Sequence, residues 1–119
     1  MASNLNYTAV NNLKNSLCKG FSLRGQIDDS NKNELRDFLK SFLAGEEKFL
    51  LLDINALDYI NSGVIADLIV LNEEFVANKK RFVLINPNLH IYDLINLVGF
   101  TSVVDCYASF EEAILELTD

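Results

Sequence analysis

The chain alternates between short apolar runs and longer segments in which apolar residues recur every three or four positions. Residues 49–52 and 82–85 are apolar throughout and lie between turn-forming flanks, a pattern typical of strands buried on both faces of a sheet. Residues 21–27 instead alternate apolar and polar side chains, as expected of a strand with one buried face. We therefore predict two central strands and one half-buried strand.

Two of the longer segments have the spacing of amphipathic helices. The first follows Ser30, which we expect to cap it, and carries apolar residues at i, i+3, i+4, i+7 and i+8 before Gly45 ends it. The second is predicted to begin at Ser62 or Gly63 and to run to about residue 78. Strands and helices therefore alternate along the middle of the chain.

The remaining elements are shorter. A third helix precedes Gly99, and a fourth opens with Ser109 and Glu112, which together form a capping box. Residues 103–107 read as a final strand, and residues 7–10 as an edge strand. This order predicts an α/β fold in which a mixed, mainly parallel sheet of four to five strands packs with about four helices. Residues 1–119 are predicted to form one domain, with a poorly defined strand and loop at residues 1–20.

Composition and charge remove several classes of function. Half of the 119 residues are apolar, so one hydrophobic core is possible without metal or disulfides. The net charge is −7 and the basic residues are scattered, which argues against nucleic-acid binding. Cys18 and Cys106 have no second ligand at zinc spacing, and no cofactor motif is present. With no signal peptide or membrane span in the sequence, we expect a cytoplasmic protein that does not insert into membranes.

Residues that could support catalysis are few. The single histidine, His90, has no neighbouring nucleophile and is expected to be a solvated residue at a helix start. Acidic residues that could form catalytic pairs are instead expected to form a solvated face: Asp53, Asp58, Asp67, Glu73 and Glu74. The chain is therefore predicted not to be an enzyme and to bind no catalytic metal.

The most informative segment is residues 55–69, Asn-Ala-Leu-Asp-Tyr-Ile-Asn-Ser-Gly-Val-Ile-Ala-Asp-Leu-Ile, which leads from a buried strand into the second helix. It resembles the signature of the STAS family of anti-sigma factor antagonists. In that signature a strand leads through a Leu and an aromatic residue to an apolar residue, Asp-Ser, a small residue and an amphipathic helix. Ser62 matches the serine that is phosphorylated in the family.

The resemblance extends from residues 23–28, similar to the family's Gly-x-Leu-Asp opening, through residues 82–87 and 94–100 to residues 110–113. Two positions depart from the pattern. Asn61 stands where many members have Asp, and Val64 stands where members of the sigma pathways commonly have Gly. The Asn61 oxygen can still cap the helix, although the negative charge is lost.

The resemblance implies a function and its partners. It implies a non-enzymatic, partner-switching regulator that binds an anti-sigma factor, which is also its ATP-dependent serine kinase, and that a phosphatase resets. Phosphorylation would fall on Ser62, and partners would contact Asn61, Ser62, Gly63 and Val64. A purely structural interpretation is that Ser62 is only a helix cap, since serine is common at helix starts.

Two other functions stay open at this point. Small members of the family also serve as cytoplasmic subunits of lipid-exporting ABC transporters, and the same fold can sense a nucleotide or a lipid. The neighbouring genes would distinguish the partner switch from the transporter subunit: a kinase or sigma factor gene favours the switch, and a transport operon favours the subunit.

Overall fold

The protein is an α/β sandwich, described by a computed structural model over residues 4–118. Within that part of the chain the strands are β1 (Leu5–Val10), β2 (Cys18–Ile27), β3 (Phe49–Asp53), β4 (Leu57–Ile60), β5 (Arg81–Ile85) and β6 (Cys106–Tyr107). The helices are α1 (Lys32–Lys40), α2 (Ser62–Ala77), α3 (Leu89–Leu97) and α4 (Phe110–Thr118). The predicted fold class and the four helices are confirmed, while the described strands number six instead of four or five.

The sheet is mixed, as predicted. Its strand order is β1-β2-β3-β5-β6, and β4 pairs with the second half of β2. Only the β1–β2 pairing is antiparallel among the described strands. Because parallel strands share one direction, β2, β3, β4, β5 and β6 all end at the same edge of the sheet. The starts of α2 and α3 lie after that edge, where side chains and backbone groups from several elements can meet.

Helices cover both faces of the central strands. On one face α1, α2 and α3 pack over side chains such as Leu50, Leu52 and Phe82. On the other face α4 packs through Ala113 over Leu51 and neighbouring side chains. Neighbouring residues of β3 therefore enter two different cores, which is why this strand is apolar without alternation.

The strands differ from the sequence prediction at several points, and β1 begins at Leu5 instead of residue 7. β2 begins at Cys18 instead of residue 21, because Gly20 hides the alternation of buried and exposed residues. β4 was not predicted, and its two middle residues, Asp58 and Tyr59, are both exposed between two buried residues. From Gly25 to Gln26 the partner in β4 moves from Leu57 to Tyr59, so Asp58 is an extra, unpaired residue of β4 that interrupts the alternation.

The last strand is shorter than residues 103–107. Phe100–Ser102 forms a 3₁₀ turn, and the N–H of Val104 donates to the carbonyl of Phe100 at 3.0 Å. Both side chains are buried, one helical turn apart. Gly99, at φ +81°, ends α3 in the left-handed conformation that favours glycine and directs the chain into this turn.

The expected cap at Ser30 is wrong. α1 begins two residues later, with Asn31 at its N-cap position, and Ser30 lies in the preceding turn, where its N–H donates to Asp28 at 2.9 Å. The Asn31 amide donates to the carbonyl of Gln26 at 2.9 Å and accepts from the N–H of Asp28 at 3.0 Å. Asn31 is therefore a buried polar link between β2 and α1. At the start of α4, in contrast, Ser109 accepts from the N–H of Glu112 at 3.1 Å, which confirms this half of the predicted capping box; within residues 4–118 the Glu112 side chain does not return a bond to the N–H of Ser109.

One lysine ties two connections together at the opposite end of α2. The Lys80 ammonium donates to the carbonyls of Phe42, Gly45 and Glu47 at 3.0, 2.6 and 2.7 Å. These carbonyls belong to the turn that follows α1 and leads into β3, while Lys80 precedes β5. Three donors of one ammonium group thus satisfy three backbone acceptors that a turn would otherwise leave to water.

Candidate functional site

The candidate site is the turn that joins β4 to α2. Asn61 has extended backbone angles, φ −102° and ψ 164°, so the helix begins immediately after it. Its side-chain oxygen accepts from the N–H of Val64 at 2.8 Å, and its carbonyl accepts from the N–H of Ile65 at 3.1 Å. Asn61 is therefore the N-cap of α2, as its oxygen suggested, even though the negative charge of aspartate is absent.

Ser62 occupies the first helical position, and its side chain is exposed. Among residues 4–118 the Ser62 hydroxyl makes no hydrogen bond. The interpretation of Ser62 as a helix cap is therefore wrong, because Asn61 has that role. The Ser62 hydroxyl is therefore exposed to solvent and can be reached by another protein.

The two following residues contribute in different ways. Gly63 is exposed, and a Cβ at this position would lie 3.3 Å from the Asn61 side-chain oxygen, so glycine leaves the cap uncrowded. Val64 is 1% exposed and belongs to the core between the sheet and the helices. Of the four predicted partner-contacting residues, Asn61, Ser62 and Gly63 thus lie at the surface. Val64 instead packs in the core and anchors the start of the helix there.

The backbone at this turn has the properties of an anion site. The Asn61 oxygen occupies the N–H of Val64, while the N–H groups of Ser62 and Gly63 have no acceptor within the described part of the chain. Free N–H groups and the positive end of the helix dipole favour a negative group here. A phosphate on Ser62 would lie beside these groups, and the fold should accept it.

The charged side chains near the turn are mixed in sign. The first turn of α2 has no acidic side chain. Asp67, farther along the helix, lies 3.9 Å from the ammonium of Lys32, which also lies 3.7 Å from Asp29. Asp28 follows the end of β2, next to β4, and a hydrogen bond from the Ser30 hydroxyl lowers the pKa of its carboxyl group. The exposed start of α2 is therefore neutral, with charged groups around it.

Sequence reasoning assigned no role to Tyr59. This residue is 45% exposed on β4, three positions before Ser62. Large exposed aromatic side chains are enriched at protein interfaces, so Tyr59 extends the candidate contact surface. Nearby, the Asn88 side chain donates to the carbonyl of Leu57 at 2.7 Å and thereby fixes the start of α3 against β4. The signal for Tyr59 in the sequence was weak, because β4 does not alternate.

A comparison with known protein families agrees with this geometry. The family model described as the STAS domain matches residues 9–113. The chain belongs to the STAS domain family. The resemblance inferred from residues 55–69 is thereby confirmed, and the matched region contains every candidate site residue of this STAS domain.

Solved structures with the same fold include anti-sigma factor antagonists. One from Mycobacterium paratuberculosis has a TM-score of 0.80 at 16% identity, covering 97% of this chain and 95% of that chain. The antagonist SpoIIAA in its unphosphorylated form has a TM-score of 0.71 at 17% identity, covering 95% and 96%. The Bacillus SpoIIAA in its phosphorylated form has a TM-score of 0.67 at 17% identity, covering 94% and 99%. At these identities the likeness concerns the fold.

The STAS fold also occurs inside a much larger membrane protein. The murine anion transporter Slc26a9 in its inward-facing state has a TM-score of 0.70 at 15% identity, covering 84% of this chain but 17% of that chain. In the chain described here, no helix within residues 4–118 is long and apolar enough to cross a bilayer. The same fold thus makes up almost the whole chain of the anti-sigma factor antagonists but only a small part of the transporter chain.

Other potentially reactive groups lie away from the α2 start or are engaged. His90 is exposed at the second position of α3, as expected. Glu74 lies 3.4 Å from Lys40, in an ion pair at the surface between α2 and α1. Burial, with the neighbouring Asp105 adding to it, raises the pKa of the Cys106 thiol to about 11, so this thiol stays protonated at neutral pH. Residues 4–118 contain no group of three or more His, Cys, Asp or Glu side chains that could hold a metal.

The cap itself gives a stability prediction. Replacing Asn61 with alanine removes the acceptor for the Val64 N–H, and we expect the free energy of unfolding to fall by about 1 kcal/mol. Asn61→Asp keeps an acceptor and adds a charge that the helix dipole favours, so its stability should equal or exceed that of the wild type. Urea unfolding followed by circular dichroism measures both changes. Asn33→Ala, an exposed change within α1, is the control and should stay within about 0.5 kcal/mol; an equal loss in it would contradict the capping role.

Proposed function

We propose that this STAS domain is an anti-sigma factor antagonist whose partner binding is controlled by phosphorylation of Ser62. One observation supports this most strongly: Ser62 is exposed at the first position of α2, while the structural work of capping falls to Asn61. A hydroxyl without a role in the fold can be modified without loss of the fold. The partner would be a serine kinase that is also an anti-sigma factor, and a phosphatase would restore the hydroxyl.

The transfer step needs ATP from the kinase. The Ser62 oxygen attacks the γ-phosphorus, the bond between that phosphorus and the bridging oxygen of the β-phosphate breaks, and ADP leaves. The hydroxyl proton passes to a base of the kinase. This chain supplies only the nucleophile and its position, so it acts as a substrate and binding partner instead of as an enzyme. Such a regulator would work in the cytoplasm, where ATP-dependent kinases and sigma factors are found.

The effect on binding follows from charge. Tyr59, Asn61, Ser62 and Gly63 carry no charged side chain, and the nearest charged residue in the sequence is the exposed Asp58 on β4. A partner pocket built against this neutral surface would have to desolvate or oppose a phosphate of about −2 charge. Phosphorylation should therefore release the partner while the helix start, with its free N–H groups, keeps the fold intact.

The test uses each anti-sigma-type serine kinase from the same genome, purified and incubated with the full chain and ATP. Mass spectrometry should find one phosphoryl group, on Ser62, and none on Ser62→Ala, while Ser109→Ala should be modified like the wild type. Ser62→Ala should keep its affinity for the kinase, and Ser62→Asp should bind at least tenfold more weakly, which corresponds to about 1.4 kcal/mol. Phosphate at another residue, or equal binding of the two variants, would contradict the proposal.

The alternative of a cytoplasmic subunit of a lipid ABC transporter has weak support, because the match to the anion transporter Slc26a9 concerns only the shared fold. In that case the chain should copurify with a membrane transport complex, and deleting the gene should impair transport while leaving sigma-dependent transcription unchanged. Sensing of a nucleotide or lipid stays a prediction.

A further inference from the structure

The strand β1 forms one edge of the sheet, and part of its backbone faces away from β2. Its register with β2 pairs Thr8 with Ser22, and the carbonyl of Asn4 accepts from the N–H of Gln26 at 3.1 Å. In an antiparallel ladder every second residue directs its N–H and C=O toward the neighbouring strand. Counting from Asn4, the N–H and C=O groups of Tyr7 and Ala9 point away from β2, toward the open edge.

This edge lacks the usual protection against strand pairing. Edge strands are commonly protected by charged side chains, proline or a bulge. β1 contains no charged residue and no proline, and its pairing with β2 is regular from Leu5 to Val10. The backbone groups of Tyr7 and Ala9 have no hydrogen-bond partner beyond the β1–β2 ladder in the described part of the chain.

The distribution of charge favours a second copy of the chain as the occupant. The net charge is −7, so most contacts between two copies would bring like charges together. The first 13 residues carry no ionisable side chain that is charged at neutral pH, and the first such residue is Lys14. Two copies can therefore approach along this edge without placing like-charged side chains opposite each other in the strands.

We propose that two copies associate through antiparallel pairing of their β1 strands. In the proposed register Tyr7 of each copy pairs with Ala9 of the other, which uses the outward groups of both residues and gives four backbone hydrogen bonds around a two-fold axis. The axis then passes between the two Thr8 residues, which face each other as a pair without backbone hydrogen bonds. The result is one continuous sheet across both copies.

The side chains around the axis suit this register. Thr8 is exposed, and Thr–Thr pairs are favourable across strands, where facing Cβ atoms lie about 4.5–5.5 Å apart. Tyr7 is already stacked on Phe38, with ring centroids 4.3 Å apart, and would face only the small side chain of Ala9. The same edge is used on both copies, so the association closes at two and does not continue into a fibre.

Sedimentation equilibrium of the full chain over a wide concentration range tests the proposal. The wild type should show a monomer–dimer equilibrium. Thr8→Lys and Thr8→Glu place like charges together at the axis, and each alone should dimerise at least tenfold more weakly. An equimolar mixture of the two variants should dimerise again, because opposite charges then meet. Circular dichroism should show that both variants fold like the wild type.

The control is Ser102→Lys, an exposed change in the turn before β6, at the other side of the sheet. It should dimerise like the wild type. A wild type that stays monomeric at every concentration would overturn the proposal. So would a Thr8→Lys variant that dimerises normally, which would indicate another interface, or a mixture of the Thr8 variants that stays monomeric.

Discussion

Replacing Phe75 with alanine is expected to lower the free energy of unfolding by about 3–5 kcal/mol. Phe75 is 1% exposed on the inner face of α2. Its ring meets that of Phe82 on β5 edge to face, with centroids 5.1 Å apart and planes at 83°. The substitution removes this aromatic pair and leaves a cavity where helix and sheet meet. The protein therefore loses both the free energy of burying the ring and the contacts that the ring makes with its neighbours.

The neighbouring residue provides the control. Val76 is 57% exposed, so Val76→Ala should change the free energy of unfolding by no more than about 0.5 kcal/mol. Urea denaturation of the two variants and the wild type gives both values. The free energy of unfolding of a domain is about 5–15 kcal/mol in total, so Phe75→Ala should remove a large fraction of it. Equal losses in the two variants would mean that α2 is not packed on the sheet through Phe75.

Replacing Gly25 with alanine is expected to cost about 2–6 kcal/mol, from two sources. Gly25 has φ +111°, a backbone region in which other residues carry about 1–3 kcal/mol of strain. An added Cβ would also lie 1.9 Å from the carbonyl oxygen of Asn4, a backbone atom that cannot move by a change of rotamer. Displacing the chain at the start of β1 adds about 1–3 kcal/mol.

Gly99→Ala separates the two sources. Gly99 also has a positive φ, +81°, but a Cβ there would have no neighbouring atom within 4 Å. Its cost should therefore be strain alone, about 1–2 kcal/mol. Thermal or urea unfolding of both variants measures the difference, and Gly25→Ala should be clearly the less stable. If the two lose the same amount, the contact between Gly25 and the start of β1 contributes nothing.

Local patterns were sufficient to predict most of the elements. The apolar runs at residues 49–52 and 82–85 are strands because the sheet is covered on both faces, and a strand with two buried faces has a recognisable composition. β4 was not predicted, because the register shift beside Gly25 turns its side chains out of strict alternation. The strand at residues 103–107 was predicted too long. Val104 is buried as part of the turn that follows Phe100, and only Cys106–Tyr107 pairs as a strand.

The candidate site shows the same division. The position of the turn followed from the sequence, since residues 55–69 lead from a strand into α2, while the role of Ser62 stays a prediction. Which of two adjacent residues caps α2 did not follow, because asparagine and serine both serve as caps. The extended backbone of Asn61 decides the matter, and backbone angles depend on how β4 leaves the sheet. Tyr59 was missed for a related reason, since its exposure depends on the irregular edge that β4 forms with β2.

The Lys80 contacts have a mechanical consequence for the whole domain. The ammonium joins the turn that enters β3 to the turn that enters β5, so two crossovers are fastened at one end of the sheet. Ser62 lies at the other end of α2, about 24 Å away along 16 helical residues. Because the two turns are linked to each other at that distance, we expect a phosphate at Ser62 to change the surface at the start of α2 without displacing them. A partner that binds the start of α2 would then distinguish the two forms of Ser62 only through the groups that it contacts there.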